Sequence, residues 1–438
     1  MRGPFLKLFL AASGLGVVTQ IQACATPAAS KVGVNESEVK PVAAHPDLSG
    51  YTSTFKELPL VASLSRLPWP SDNWSSAHGG TSFRWQMAVK ADSDELEDLA
   101  PFIHYPLGQD EDRDALSPSE KLDLYLGNKG WDLTKKERAR TLGQRKADGS
   151  PRPEAEIPEW EGIQHAWSIA ALQFQPVGPV TVKDKDGKPL TFESQDIYSL
   201  VSLFVHEQRP PAVVLASLCE KQAGMDKQEL AAATGPYVFE NNKQAIRRKG
   251  CEKIDPATFH LVLANQIGKL NEGFIIDRDH QGEISNNPVL AYESRIVNEG
   301  PTQATTANKL RKVHLRTILF LTSETPVIHL DEEDLTYPYD RENYEYTLDI
   351  DADGKIVSGQ WIDSKKGEAN ASIPDFMWKA KAVWLNGPMR TIYEQGQQNY
   401  ASEKAHQLRP LEDMPQSDRK VLNSYFSDSP ASAAPNVQ

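Results

Sequence analysis

Beyond residue 310 the chain alternates with period two. Val313, Leu315, Thr317, Leu319 and Leu321 would share one face of an extended segment, the spacing of a strand with one buried side. Tyr344 to Ile350 and Lys355 to Trp361 read as two further strands, joined across the polar turn Asp351-Ala352-Asp353-Gly354. Phe274-Ile275-Ile276 is a short apolar run ending at Asp277, as a buried strand would. Together these segments predict an antiparallel sheet in the C-terminal half.

The half before it follows the other period. After Gly162, the residues Ile163, Ala166, Trp167, Ala170 and Leu172 recur at roughly helical spacing. Ser117-Pro118-Ser119-Glu120 is a helix start, with Ser117 as cap and Glu120 reaching back, so that Leu122, Tyr125 and Leu126 would face the core. Ile197, Leu200, Val201 and Phe204 mark another helix, with Ser194 as its cap. Between the two, Val177 to Thr191 alternates around Asp186-Gly187, a hairpin signal. Residues 50–95 are rich in loops pinned by Trp69 and Trp74, and Lys136 to Pro158 reads as an exposed connection. The expected class is α+β, a helix-rich N-terminal half followed by an antiparallel sheet.

At the N-terminus, Arg2 and Lys7 precede an apolar run from Leu8 to about Val18, which is a secretory signal pattern. It ends in Ile21-Gln22-Ala23-Cys24, close to a bacterial lipobox. Residues 1–23 are therefore expected to be removed, leaving Cys24 as a lipidated first residue; the alternative is an ordinary signal peptide with an incidental cysteine. A lipidated chain would sit on the outer membrane or cell surface, and an unlipidated one would be periplasmic or secreted. Residues 24–48 read as a flexible tether, 49–400 as the folded domain, and 401–438 as an extension that is Ser/Ala/Pro-rich after about 427.

A formal charge of −13 and the lack of any basic stripe argue against a nucleic-acid partner. No later stretch is long and apolar enough to span a bilayer. Asp349 to Gly354 imitates the start of a calcium loop, but Gln360 stands where the bidentate Glu belongs and Val357 replaces an oxygen donor. A hairpin turn explains it better. No cofactor is expected and no Cys/His cluster has zinc spacing, although calcium stays open.

The chemistry-bearing stretch is Trp160-Glu161-Gly162-Ile163-Gln164-His165-Ala166-Trp167-Ser168. A turn opening into a helix offers free N–H groups and the positive end of the helix dipole, which favour a thiolate. This stretch resembles the nucleophile segment of the transglutaminase-elicitor family, W-E-G-I-C-H-A-W-S. The similarity continues through Phe259-His260-Leu261-Val262-Leu263-Ala264-Asn265-Gln266-Ile267-Gly268, Asn286-Asn287-Pro288-Val289, Tyr344-Glu345-Tyr346-Thr347-Leu348, Gly359-Gln360-Trp361 and Pro374-Asp375-Phe376-Met377-Trp378. These span roughly residues 60 to 385 in the family's order.

The resemblance implies a single papain/transglutaminase-like domain and an aminoacyltransferase that joins glutamine to lysine side chains through a cysteinyl thioester. Its substrates would be proteins or peptides bearing those side chains. The nucleophile, histidine and acid of such a site fall at Gln164, His260 and Asp277, with Asp279 a rival acid. Trp160, His165 and Trp167 would shape the pocket. Cys219 and Cys251 flank a polar stretch, as cysteines do in the family, and an even pair in an exported chain is expected to be bridged. Such a bridge would stabilise the fold by about 3–4 kcal/mol.

Gln164 breaks the pattern. A carboxamide has no acidic proton and no free lone pair on nitrogen, so it is no nucleophile at neutral pH; it hydrogen-bonds through both ends instead. Ser168, one helical turn on, should point from a different level. The expectation is a domain impaired in acyl transfer, with a non-catalytic peptide-binding protein of the cell envelope as the alternative. Elicitor activity is not expected, because Ser285 and Leu290 replace the tryptophan and arginine of the family's recognised peptide.

Overall fold

The structure, a computed structural model, describes residues 50–92, 96–108, 112–146, 148–217, 254–278, 285–301, 310–329, 339–362, 373–374 and 376–404. Helices α1 (Trp85–Lys90), α2 (Leu96–Ile103), α3 (Pro118–Leu126), α4 (Asp132–Thr141), α5 (Gln164–Gln173) and α6 (Ser194–Gln208) fill the first half. Helix α7 (Pro256–Leu263) runs on as π-helical turns over Ala264–Leu270, and α8 (Gly387–Lys404) follows the last strand. None of these helices is long and apolar enough to cross a membrane.

The strands are β1 (Val61–Ser63), β2 (Val180–Lys183), β3 (Pro189–Phe192), β4 (Ala212–Ser217), β5 (Phe274–Asp277), β6 (Asn286–Pro301), β7 (Arg311–Thr322), β8 (Tyr339–Ile350), β9 (Ile356–Trp361) and β10 (Phe376–Ala380). The main sheet runs β4-β10-β5-β6-β7-β8-β9, with β1 paired to β6, and every pair is antiparallel. Four strands from β6 to β9 form a meander; β10 returns to lie between β4 and β5. The α+β expectation is met, helices first and antiparallel sheet after.

The alternation seen in the sequence becomes the sheet's inner face. Val313, Leu315, Leu319 and Leu321 of β7 pack with Tyr344, Tyr346, Leu348 and Ile350 of β8 under α7. A second core gathers α5 and α6 with the Trp/Pro segment, where Trp69 stacks on Tyr198 at 4.1 Å. Trp167 donates Nε1–H to the Trp69 carbonyl at 3.2 Å, and Trp69 donates to that of Phe174 at 3.1 Å. Both turns read from Asp-Gly pairs or acidic runs are hairpins anchored by aspartate. Asp184 Oδ1 accepts from the N–H groups of Asp186 and Lys188, and Asp351 Oδ1 from those of Asp353 and Lys355. Gly187 and Gly354 supply the positive φ, +79° and +81°.

The structure corrects three expectations. Helix α3 does begin with a Ser117/Glu120 capping box, but its most deeply buried side chains are polar. Glu120, Lys121 and Asp123 are fully buried; Leu122 and Tyr125 do pack, partly buried, against the core as expected, and Leu126 is exposed instead. The reason is that each buried charge has a partner. Arg84 grips Glu120 through Nε and Nη2 at 2.9 and 2.7 Å, Lys121 pairs with Asp196, and Asp123 accepts from Thr134 N and Oγ1 at 3.0 and 2.8 Å. Residues 136–158 are not all connection, since α4 extends to Thr141 and buries Glu137, whose carboxylate accepts from Thr81 N at 3.0 Å. The cap of α6 is Glu193 rather than Ser194, with the Glu193 N–H bonded to Asp196 at 2.9 Å.

Asp196 also takes the Trp85 Nε1–H at 2.9 Å, so Lys121 is the cation that balances a carboxylate with no access to water. Lys121→Met should strand that charge and cost about 3–5 kcal/mol. Urea unfolding of the two proteins measures it, as a lower midpoint at unchanged slope.

Candidate active site

Segments far apart in sequence converge at the start of α5. Ile163 N donates to Asn73 O at 2.7 Å and Ser76 N to Glu161 O at 2.6 Å. Asn73 Nδ2 donates to Glu159 O at 3.0 Å. The backbones approach so closely that a Cβ on Gly162 would lie 2.4 Å from the Asn73 carbonyl oxygen, which only glycine allows. The Asp72 carboxylate extends the contact to a third segment. It accepts from Trp74 N at 2.8 Å through one oxygen and from Val327 N at 2.7 Å through the other. Thr325 N bonds Ser71 O at 3.1 Å beside them.

Gln164 is the first residue of α5 and is half-buried. Its Oε1 accepts the backbone N–H of Asn286 at 2.8 Å, and its Nε2 donates to a carboxylate oxygen of Glu324. Asn286 opens β6 and is itself fixed. Ser168 Oγ bonds its carbonyl, and Trp378 Nε1 donates to its side-chain oxygen at 3.2 Å. The Ser168 hydroxyl also lies 3.0 Å from Gln164 O, inside the helix turn and fully buried. It ties the first turn of α5 to the start of β6.

A cavity of about 360 Å³ is lined by Glu324, the hydrogen-bond partner of Gln164. Asp72, Glu159 and Glu324 give it an acidic wall, Trp160 and Phe83 an aromatic one, and Pro326 and Ile328 apolar patches; His78 is the basic group that lines it. Burial, and next the charge of Asp72, push the Glu324 carboxyl up to about 7, against the pull of the Gln164 hydrogen bond. Burial also raises Asp72, opposed by its backbone N–H donors. No group of three or more His, Cys, Asp or Glu among the described residues is arranged to hold a metal ion.

The residues expected at the site are distributed as follows. Asp277 lies directly across the sheet from Asn286 and accepts from Ser285 N at 2.8 Å, so it stands next to the residue that holds Gln164. His260 belongs to the other core. Its Nδ1 meets Tyr346 Oη at 2.8 Å, Phe55 stacks on its ring at 5.9 Å, and it makes no hydrogen bond to Gln164 or Asp277 among the described residues. Burial lowers its pKa to about 4, so it is neutral. The Gln164–His260–Asp277 triad is therefore not assembled, because the face of α7 that carries His260 packs on β8. Trp160 lines the cavity. His165 and Trp167 are buried behind it, His165 with Nε2 3.3 Å from His206 Nδ1. Burial and the neighbouring His206 hold His165 well below its usual pKa. Cys24, Cys219, Cys251 and Asp279 lie outside the described residues.

Sequence reasoning missed Asp72, His78 and Glu324, and it took Asn286 only as part of a motif. The available signal was slight. Asp72 sits in a loop-like Pro-Ser-Asp-Asn-Trp run, and Glu324 closely follows Leu321, the last member of the alternating set.

The architecture is that of a transglutaminase. A solved structure, the GP42 transglutaminase from Phytophthora sojae, matches with a TM-score of 0.54 at 20% identity, over 80% of this chain and 94% of that one. Comparison with curated proteins finds no relative. The transglutaminase elicitor family model matches residues 49–396, and the chain belongs to that family.

The raised Glu324 pKa has a consequence for stability. An acid whose folded pKa lies above its unfolded value holds more protons in the folded state, so stability falls as pH rises from near 4.5 through 7. Glu324→Gln keeps an acceptor for Gln164 and removes that penalty. The variant should melt higher than the parent at pH 8, and the gap should close as pH falls towards 4.5. A gap of equal size across that range would show that Glu324 does not ionise in this window.

Proposed function

We propose that this chain is an exported lipoprotein whose transglutaminase-elicitor domain no longer turns over glutamine and lysine substrates. In its place the cleft serves as a binding surface for peptides or envelope components. The supporting observation is the state of Gln164. The residue at the nucleophile position has no acidic proton for a base to take, and both ends of its amide are engaged, by the Asn286 N–H and the Glu324 carboxylate. The single histidine expected to serve it is a neutral core residue bonded to Tyr346. Family membership supports protein or peptide side chains as what the cleft accommodates. The charged N-terminus, apolar run and lipobox-like Ile21-Gln22-Ala23-Cys24 support export and a lipid anchor at Cys24.

Purified protein and Gln164→Cys are to be incubated with a glutamine-bearing acceptor peptide and a labelled primary amine. The unmodified chain should leave the acceptor unlabelled, and the cysteine variant should gain labelling. Incorporation into the acceptor by the unmodified chain overturns the proposal. For the anchor, mass spectrometry of the mature protein should show an acylated Cys24; an unmodified residue at the mature start rejects it.

A further inference from the structure

The carboxamide of Gln164 is inert as a nucleophile, yet its surroundings are those of an electrophile. Its oxygen accepts a fixed backbone N–H from Asn286 at 2.8 Å, at the positive end of α5. That is where a hydrogen-bond donor would stabilise charge developing on the oxygen if the carbonyl carbon were attacked. The nitrogen donates to Glu324, so the group that would have to leave is already in contact with an acid–base residue. The donor cannot drift, because Asn286 is held from two further sides by Ser168 and Trp378. The same Glu324 lines the neighbouring cavity.

The lining says what could enter. Asp72, Glu159 and Glu324 draw a cation, and Trp160 and Phe83 bring aromatic rings, which attract cations, to the same lining. Pro326 and Ile328 suit an alkyl stem. A primary alkylammonium has both features; an anion or a neutral sugar has neither.

We infer that Gln164 is itself an acyl donor, which couples this protein once, through its own side chain, to a primary amine that enters the acidic cavity. The inference rests on the reading of position 164 as unable to act as a nucleophile, and it goes beyond that reading by reversing the residue's role. In the step, Glu324 as carboxylate takes one proton from the incoming ammonium. The freed amine nitrogen attacks the Gln164 carbonyl carbon, forming the new C–N bond and placing negative charge on the oxygen held by Asn286. Glu324 then passes its proton to the original amide nitrogen. The old C–N bond breaks as the carbonyl reforms, and ammonia leaves. The attacking nitrogen gives up a second proton to that ammonia, so an alkylammonium and a primary amide become a secondary amide and ammonium. A carboxyl poised near neutrality suits a group that must act first as base and then as acid.

The test uses the full chain at pH 7 with cadaverine in one arm and a peptide bearing one internal lysine in the other, followed by peptide mass mapping and an ammonia assay. The expected result is at most one amine per chain, on Gln164, with ammonia released in equal amount and with a rate at least tenfold lower in Glu324→Gln. Reaction with the lysine peptide would identify the amine as protein-borne, and reaction with cadaverine alone would identify it as a small diamine; either supports the inference. An unaltered Gln164 in both arms overturns it, as does simple conversion to glutamate with no amine attached. Equal labelling of urea-unfolded chain also overturns it, since the fold would then contribute nothing. If Glu324→Gln fails to fold by its thermal melt, site mapping and ammonia stoichiometry on the parent decide. Label on the chain's own Gln164 and label on an external acceptor are read from different molecules, so failure here is distinct from failure of the proposed loss of turnover.

Discussion

Helix α5 is buried continuously from His165 to Ala171, and a helix with no wet face takes its position from what its ends touch. Its N-terminal end is set by one close approach, the Asn73 carbonyl against Gly162. Much else follows from that contact. It fixes the 71–76 loop, whose Asp72 carboxylate collects the Val327 N–H and so fixes the turn that carries Glu324. A larger residue at 162 would displace the loop, the turn and the acid together. The site is thus a product of backbone packing, and its side chains are the last layer added to it.

Charge inside this protein is treated in two ways. Around α3 the buried ions are each satisfied, Glu120 by Arg84, Lys121 by Asp196 and Asp123 by the Thr134 N–H and hydroxyl. Such pairs contribute little net energy, but breaking one is expensive. At the cavity, burial and then the like charge of Asp72 push Glu324 up, while Asp72 is raised by its own burial and has backbone donors to oppose it. Structure alone gives no reason to keep an underpaired acid beside a cavity when an amide there would accept the same hydrogen bond. A buried carboxyl pushed towards neutrality beside a cavity marks that place as a candidate site.

Much of the fold was legible because periodicity survives wherever one face is wet. The β7 and β8 alternation, the Asp-Gly turns and the Ser117 capping box all announce themselves locally. The buried charges of helix α3 were missed for a definite reason. Its inward face is charged, and a pattern of hydrophobicity cannot report a core built from ion pairs whose partners lie 36 and 75 residues away. The candidate site was half legible. Gln164 and its helix were found because motif and geometry coincide there. His260 was misassigned because a histidine in an apolar run looks alike whether it faces a cleft or Tyr346. Asp72 and Glu324 were invisible because burial of an acid is decided by the loop that covers it.

The identity of the residue at 164 carries information of its own. Alanine would leave the Asn286 N–H and a Glu324 oxygen without their partner, and an unmade buried hydrogen bond costs about 1–3 kcal/mol. Serine, two bonds shorter, reaches one of them at best. Glutamate would set a second carboxylate against Glu324, a like-charge contact that already raises the pKa of that group through Asp72. Glutamine alone among common residues of this length presents an acceptor to the N–H and a donor to the carboxylate at once. It meets the Asn286 N–H and the Glu324 carboxylate with one planar group, and so ties the start of α5 both to β6 and to the turn after β7.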